Sequence, residues 1–267
     1  DSSQIPTFLV SKLAKEYVTV SLSGDGGDEL FGGYNRYNFA DRYWPVVQTL
    51  PSFIQKTLLK ITNKSQDISA VGMSSKLISF LLSNSNFAFP VEKMSKIGDI
   101  LMKESLEEVY LALTSITQNP YDIVIKGKER VFSDKDFLDN SIFQSSSHNM
   151  MYWDTLSYLP DDILVKVDRA AMAVSLETRV PFLDPNVIQL AWSMKSNLKI
   201  RKGQNKWILK KLLDQHIPKN LLERPKVGFG VPIDDWLRGP LKEWADSLLN
   251  TSRLEKEGFF HSSQVRK

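Results

Sequence analysis

The stretch Val18-Thr19-Val20-Ser21-Leu22 decides the fold class, because it is a run of strand-forming residues directly after a helical pattern. Before it, apolar residues recur at helical spacing, at Ile5, Phe8, Leu9, Leu13 and Tyr17. This spacing predicts an amphipathic helix with Pro6 near its first turn. A helix that leads into a buried strand is the unit of a parallel α/β sheet. We therefore predict an α/β fold with a buried strand over residues 18–22.

The remainder of the chain is predicted to be mainly helical, because strand signals become scarce after Tyr43. Helical patterns recur over residues 51–61, 74–82, 105–116 and 241–249. Further helix starts are expected at the acidic pair Asp161-Asp162, at Asp184-Pro185, near Gly203 and near Pro218. We divide the chain into residues 1–45, the end of an α/β sheet, and residues 46–267, a mainly helical portion.

Composition excludes several classes of protein. The 267 residues are 42% hydrophobic and 24% charged, and the net charge of +3 comes from scattered residues with no basic block that would suit nucleic acid. No apolar run approaches the roughly 20 residues that span a membrane, and no signal peptide is visible, so we expect a cytoplasmic protein. The absence of cysteine excludes disulfides, a thiolate metal site and a cysteine nucleophile.

The glycine-rich segment Ser23-Gly24-Asp25-Gly26-Gly27-Asp28-Glu29-Leu30-Phe31-Gly32-Gly33-Tyr34 follows the predicted strand. We call it the glycine loop. Its glycines let the backbone approach a ligand and point N–H groups at a phosphate. Asp25, Asp28 and Glu29 would repel a bare phosphate, and they suit one that is bridged by a hard cation such as Mg²⁺. The plain alternative is an acidic turn that caps the next helix. The spacing fits neither a calcium loop nor a dinucleotide fingerprint.

The glycine loop resembles, almost residue for residue, the second nucleotide-site motif of the glutamine-hydrolysing asparagine synthetases. The resemblance implies that Ser23 and Gly24 contact ATP and that Asp28 binds Mg²⁺–pyrophosphate. It further implies that Asp25 helps to orient the acyl-adenylate and the attacking ammonia. The implied fold is an adenine nucleotide alpha-hydrolase-like (PP-loop ATPase) synthetase domain, represented here by its carboxy-terminal, predominantly helical part.

Three later stretches are similar to the same family. Residues 166–184 resemble its signature helix and the turn that follows, with Lys166 and Arg169 on one face where they could point at substrate or pyrophosphate. Residues 202–209 resemble the segment with the catalytic lysine, which corresponds to Lys206. Residues 224–232, with Lys226, resemble a mobile loop near the site, and their glycines and prolines favour mobility. The plain interpretations are a solvated helix, a solvated lysine and a connector.

Other charged residues receive structural interpretations. Glu177 and Arg179 are interpreted as an ion pair rather than as catalytic groups. His148, His216 and His261 are far apart in sequence and match no metal or triad spacing.

Two features of the family are missing from these 267 residues, namely a Ser-Gly-Gly-x-Asp-Ser pyrophosphate loop and a cysteine glutaminase domain. We expect the sequence to begin inside a synthetase domain, with the glutaminase preceding it in the same polypeptide, and its end to be artificial too. The implied reaction is ATP-dependent amidation of aspartate through β-aspartyl-AMP, with ammonia from glutamine. A homodimer is left open. The alternatives are an amidotransferase for another carboxylate, such as a polysaccharide or β-lactam precursor, and a non-catalytic nucleotide-binding module.

Overall fold

A computed structural model of the chain describes residues 2–42, 44–49, 100, 103–115, 117, 120–127, 143–218, 221 and 230–266. The helices predicted over residues 51–61 and 74–82 lie outside these ranges. The amino-terminal described elements are α1 (Gln4–Lys15), β1 (Val20–Leu22), α2 (Gly27–Phe31), α3 (Asn35–Arg42), α4 (Trp44–Thr49), α5 (Leu106–Thr114) and α6 (Pro120–Ile123). None of the described helices is long and apolar enough to cross a membrane.

The second half of the chain contains most of the described helices. Its elements are α7 (Ser146–Leu156), a π-helix (Leu159–Leu164), α8 (Val165–Met172), β2 (Glu177–Arg179), a 3₁₀ turn (Pro181–Leu183), α9 (Pro185–Ser193), α10 (Ser196–Lys199), α11 (Trp207–Leu213), α12 (Ile233–Arg238), α13 (Lys242–Leu248), α14 (Thr251–Glu257) and α15 (Ser262–Val265).

Helix α1 forms where the apolar spacing predicts it, and it packs against α8. The face that packs is not the apolar stripe. Ser11 is buried, whereas Leu9 and Leu13 are each 58% exposed. The buried residues of both helices are small, namely Ser11 on α1 and Ala170 and Ala171 on α8. The spacing therefore predicted the helix correctly, while its apolar stripe is left uncovered by the described residues.

Strand β1 pairs in parallel with β2, with Val20 opposite Glu177 and Leu22 opposite Arg179. The sequence indicated a turn at β2, so this pairing was not predicted. The prediction of a buried strand is wrong for β1, because Leu22 is 75% exposed. Parallel sheets are normally covered on both faces. Within the described residues the sheet has two strands, and β1 alternates exposed and half-buried positions.

Among the described residues, the larger hydrophobic core lies among α3, α5 and α7. Helix α7 is buried nearly all round, with Met150, Met151 and Trp153 among its buried residues. They pack with Tyr37 and Tyr110 from the two neighbouring helices. Because the interior of a protein is packed about as densely as an organic crystal, this core limits the movement of the segments that pack against it.

A second, smaller core attaches the glycine loop to the rest of the molecule. Leu30 and Phe31 of α2 are buried against Ala191 of α9, and Ile208 of α11 packs onto the same cluster. The predicted start of α9 is confirmed, because Asp184 Oδ1 accepts a hydrogen bond from the Asn186 N–H at 2.8 Å. This core positions the segments that form the candidate site.

Two predicted helix starts differ from the structure. Asp161 and Asp162 do not cap a helix, since they lie in the first turn of the π-helix, which runs directly into α8. Helix α11 begins at Trp207 rather than near Gly203, because residues 201–204 form a tight turn with paired backbone hydrogen bonds between Arg201 and Gln204. Lys206 consequently occupies the N-cap position of α11, where its side chain makes no capping hydrogen bond.

Candidate active site

The glycine loop continues the line of β1 and then turns sharply into α2. The Ser23 N–H donates to the Arg179 carbonyl at 2.8 Å, which extends the parallel pairing by one residue. The Ser23 hydroxyl bonds to the Asp25 carboxylate, and its oxygen accepts from the Asp25 N–H at 3.3 Å. These bonds fix the Asp25 side chain relative to the strand end. Gly24 is exposed, and a Cβ there would meet no described atom within 4 Å, so a ligand can approach its backbone.

Helix α2 is bounded by two glycines in the left-handed region. Gly26 has φ 78° and Gly32 has φ 72°, conformations that glycine adopts without a steric penalty. A Cβ at Gly26 would lie 2.7 Å from Cδ2 of Leu183, and one at Gly32 would lie 2.6 Å from Cγ1 of Ile200. The close approach of the loop to two other segments therefore depends on glycine at both ends.

The structure brings Asp28 and Lys206 together. Lys206 Nζ lies 3.0 Å from Asp28 Oδ1, and both side chains are about one-third exposed or less. A Cβ at Gly33 would fall on the Asp28 carboxylate and would lie 2.5 Å from Lys206 Cε. Gly33 thus provides the space in which the ion pair sits. Its N–H also donates to the Asp28 carbonyl at 2.8 Å.

Glu29 does not share the environment of Asp28. It is 1% exposed and accepts a hydrogen bond of 2.6 Å from the Tyr34 hydroxyl. Burial raises the pKa of this carboxyl, although the hydrogen bond from Tyr34 opposes the shift. The expectation that Glu29 helps to hold a bridging cation is therefore wrong in this structure, because helix geometry directs adjacent residues to different sides of α2.

The remaining predicted site residues are distributed as follows. Lys166 Nζ donates to Oγ of Ser3, just before α1, at 2.9 Å. Arg169 lies exposed on the same helix, α8. Lys226 lies outside the described residues, as do residues 224–229 of the predicted mobile loop. The roles of all three in substrate binding stay predictions.

The structural interpretations of Glu177 and Arg179 are confirmed by an ion pair of 2.7 Å between their side chains on the exposed edge strand. Among the described residues, no group of three His, Asp or Glu side chains comes together as a metal site. His148 is buried, and burial lowers its pKa to about 4, with the Lys199 charge adding to the shift.

Sequence reasoning missed Asn205, which lies beside the ion pair. Its Nδ2 donates to the Gly33 carbonyl at 3.0 Å. The available signal was its place directly before the candidate lysine and two residues after Gly203, a glycine that indicates a turn. That signal points to a turn but not to the partner, which lies in the other half of the chain.

The site consists of a parallel strand that ends in a glycine loop, with a lysine and a carboxylate paired beside the loop. Sites of this class suit an anionic ligand. The family model for asparagine synthase matches residues 1–267, and the chain belongs to the asparagine synthase family.

Curated relatives agree with this assignment. The chain is 32% identical over 265 residues to asparagine synthetase (glutamine-hydrolyzing) 1 of Bacillus subtilis, which is 99% of this chain and 38% of that protein. It is 24% identical over 256 residues to asparagine synthetase (glutamine-hydrolyzing) 3 of the same organism, 96% of this chain and 33% of the relative. A Brassica oleracea asparagine synthetase (glutamine-hydrolyzing) matches 39% of the chain at 31% identity, over 19% of its own length. No solved structure matches the chain.

Proposed function

We propose that the protein containing this chain is a ligase that converts aspartate to asparagine, using ATP and the nitrogen of glutamine. The observation that carries the proposal is the Asp28–Lys206 pair at 3.0 Å beside the glycine loop, in a chain of the asparagine synthase family. The relatives are named for this activity, and the chain spans about a third of their length. The glutaminase domain and the pyrophosphate loop are therefore assigned to other parts of the same polypeptide.

In this proposal the nucleotide approaches the exposed side of the glycine loop. Gly24 leaves its backbone open to a ligand, and Ser23 lies at the end of β1 with its hydroxyl next to the Asp25 carboxylate. Ser23 and Gly24 contact ATP, while Asp25 faces the carbon that is attacked by ammonia. A carboxylate there accepts hydrogen bonds from the incoming nitrogen and fixes its direction of approach.

Once a polyphosphate binds, Asp28 and Lys206 take different roles. Asp28 offers one carboxylate, and Mg²⁺ is commonly held in nucleotide sites by one or two carboxylates plus phosphate oxygens. The residues present therefore fit a metal that takes one ligand from Asp28 and further ligands from the substrate phosphates. Mg²⁺ bound there supplies charge neutralisation to the phosphate oxygens. Lys206 contributes a positive charge to the pyrophosphate as its negative charge develops.

The chemistry proceeds in two displacements. An oxygen of the aspartate side-chain carboxylate attacks the α-phosphorus of ATP, and the bond from that phosphorus to the pyrophosphate oxygen breaks. Ammonia then attacks the acyl carbon of β-aspartyl-AMP, loses a proton, and the bond to the AMP oxygen breaks. Adenylation is required because a free carboxylate oxygen is a poor leaving group.

The proposed fold is a PP-loop ATPase domain, in which residues 1–45 end the nucleotide-binding sheet and residues 46–267 form its mainly helical portion. Lys166, Arg169 and Lys226 are proposed to lie near the substrate in the complete, ligand-bound protein. For direct contact between Lys166 and the substrate, its hydrogen bond to Ser3 would have to be released or shared. We propose a cytoplasmic location for the enzyme.

The test is exchange of radiolabelled pyrophosphate into ATP by the full-length protein, with aspartate or glutamate as the carboxylate. We expect exchange that depends on aspartate and is much weaker with glutamate. Glutamine should then support the release of AMP and asparagine. Exchange that is equally fast without aspartate, or that responds to a different acid, would refute the assignment.

A further inference from the structure

Gly33 makes a hydrogen bond through its N–H and another through its carbonyl, and both partners lie in the region of the ion pair. Its N–H donates to the Asp28 carbonyl at 2.8 Å, and its carbonyl accepts from Asn205 Nδ2 at 3.0 Å. The Asp28 carboxylate and Lys206 Cε fill the space where its Cβ would lie. Gly33 is thus the point at which the glycine loop meets the segment that carries Lys206.

Asn205 is held by further bonds of its own. Its amide oxygen accepts from Asn38 Nδ2, and its Nδ2 also lies 3.4 Å from Asn35 Oδ1. Asn38 in addition donates to the Gly203 carbonyl at 3.4 Å, in the same turn. One side-chain amide therefore connects the turn before α11 both to the glycine loop and to α3. An amide is suited to this task because it donates and accepts at the same time.

Lys206 follows Asn205 directly and has φ 52°, in the left-handed region that a lysine seldom adopts. Such a backbone persists where its surroundings hold it. The bonds of Asn205 lie one residue away and hold the peptide that sets the direction of the Lys206 side chain. The side-chain contacts of Asn205 with Gly33 and Asn38 thus link the segment that carries Lys206 to the glycine loop and to α3.

We propose that Asn205 is a positioning residue, which holds Lys206 against Asp28 by bonding to the Gly33 carbonyl. It touches no reacting atom and acts through Lys206. Its effect on catalysis rests on the proposed function, whereas its effect on the ion pair does not. The two effects can therefore be measured separately.

The first experiment tests the ion pair through the acylation rate of Lys206 in the full-length protein. Lysines are acylated with a water-soluble active ester, and the products are quantified by peptide mass spectrometry. An amine that is held 3.0 Å from a carboxylate oxygen is less free to attack the ester, and it therefore acylates slowly. Asp28→Asn sets the rate for an unpaired Lys206. We expect Asn205→Ala to raise the Lys206 rate several-fold towards that limit, with Lys210 unchanged. Gln204→Ala, an exposed neighbour in the same turn, should leave both rates unchanged.

The second experiment is a double-mutant cycle on aspartate-dependent pyrophosphate exchange. Asn205→Ala alone should lower kcat by about tenfold, because a misplaced charge stabilises the transition state less well. In a Lys206→Ala background the same change should have almost no further effect, since the group that it positions is gone. A residue that only supports folding would instead lower both rates by the same factor, together with the melting temperature.

The outcomes distinguish this proposal from the proposed function. An unchanged acylation rate in Asn205→Ala overturns the positioning role, whatever the activity. If Asn205→Ala raises the acylation rate of Lys206 and leaves pyrophosphate exchange normal, although Lys206→Ala slows exchange, then Asn205 does not contribute to catalysis. If Lys206→Ala does not slow exchange, the assignment of Lys206 under the proposed function fails, while the acylation result still decides whether Asn205 holds the pair.

Discussion

At the scale of single residues, the site depends on two opposite charges that come from distant parts of the chain. Replacing Lys206 by Ala, or Asp28 by Asn, in the full-length protein should lower the synthetase rate by a factor on the order of 10² or more. Under the proposed function, each change removes a preorganised charge from the pyrophosphate end of the site. The measurement is glutamine-dependent formation of asparagine and AMP.

Two controls separate this effect from damage to the fold. Glutaminase activity should largely survive, because the loss is confined to the synthetase site. Lys210→Ala removes an exposed lysine one turn further along α11, and it should leave the synthetase rate near normal. If Lys206→Ala behaves like Lys210→Ala, then Lys206 is an ordinary surface lysine and the placement of the pyrophosphate is wrong.

Lys199 is a buried lysine whose charge should affect the stability of the protein. Its side chain is 0% exposed, and Nζ lies 4.6 Å from the centre of the Trp192 ring. Its Nζ has no hydrogen-bond partner among the described residues. Burial lowers the pKa of Lys199 to about 8 from its ordinary value of 10.5. The charged form is therefore disfavoured in the folded state, although the contact with the ring offsets part of this cost.

The pH dependence follows from that shift. Below about pH 8 the lysine is charged in both states, and folding carries the full cost of burying the charge. Between about pH 8 and 10.5 the unfolded state binds more protons, so the contribution to stability rises with pH. Lys199→Met should be more stable than the wild type at pH 7, by up to about 3 kcal/mol.

The measurement is the melting temperature of both proteins between pH 7 and pH 10. The difference should shrink as the pH rises, since the wild-type lysine becomes neutral. His148, which lies near Lys199, stays neutral over this range because its pKa is lowered to about 4. A difference that does not change with pH would mean that the charge of Lys199 is not what limits stability.

At the scale of elements, the short helix α2 depends on the glycines at its ends. Gly32→Ala should destabilise the protein by about 2 kcal/mol or more, because a Cβ would meet Ile200 and the backbone is left-handed. Differential scanning fluorimetry of the full-length protein measures the change. Gly230→Ala is the matched control, since a Cβ there meets no described atom within 4 Å. Equal melting temperatures for the two variants would contradict the prediction.

At the scale of the whole molecule, a buried polar network joins three helices behind the glycine loop. Asp154 of α7 accepts from the hydroxyls of Tyr37 and Tyr110, the latter at 3.0 Å, and forms an ion pair of 2.7 Å with Arg36. Arg36 also lies 4.0 Å from the centre of the Tyr34 ring, whose hydroxyl bonds to Glu29. The network thus connects the main core to α2.

Removing the centre of this network should be strongly destabilising. Asp154→Ala removes the partner of the largely covered Arg36 charge and the acceptor of the buried Tyr37 hydroxyl, at a cost of about 3–5 kcal/mol. Asp168→Ala, an exposed aspartate on α8, should change stability by less than about 0.5 kcal/mol. Chemical unfolding followed by tryptophan fluorescence measures both. A loss in Asp154→Ala no larger than in the control would show that the network contributes little.

The sequence alone determined the features that depend on near neighbours along the chain. The apolar spacing predicted α1 and α5, Asp184 predicted the start of α9, and the glycine spacing predicted a tight loop after β1. The resemblance carried by the glycine loop led to the asparagine synthase family, which the family model confirms over residues 1–267. Helical periodicity, caps and turns are local, because their hydrogen bonds join residues a few positions apart.

Only the tertiary structure decided which of these features face each other. It pairs β1 with β2, directs Glu29 into the core and Asp28 towards Lys206, and joins Asn205 to Gly33. It also leaves the apolar side chains of β1 exposed, where the sequence predicted burial. A local pattern shows that an element has an apolar or charged face. Which segment covers that face depends on residues far away in the chain, because local hydrogen bonds do not determine how distant segments pack.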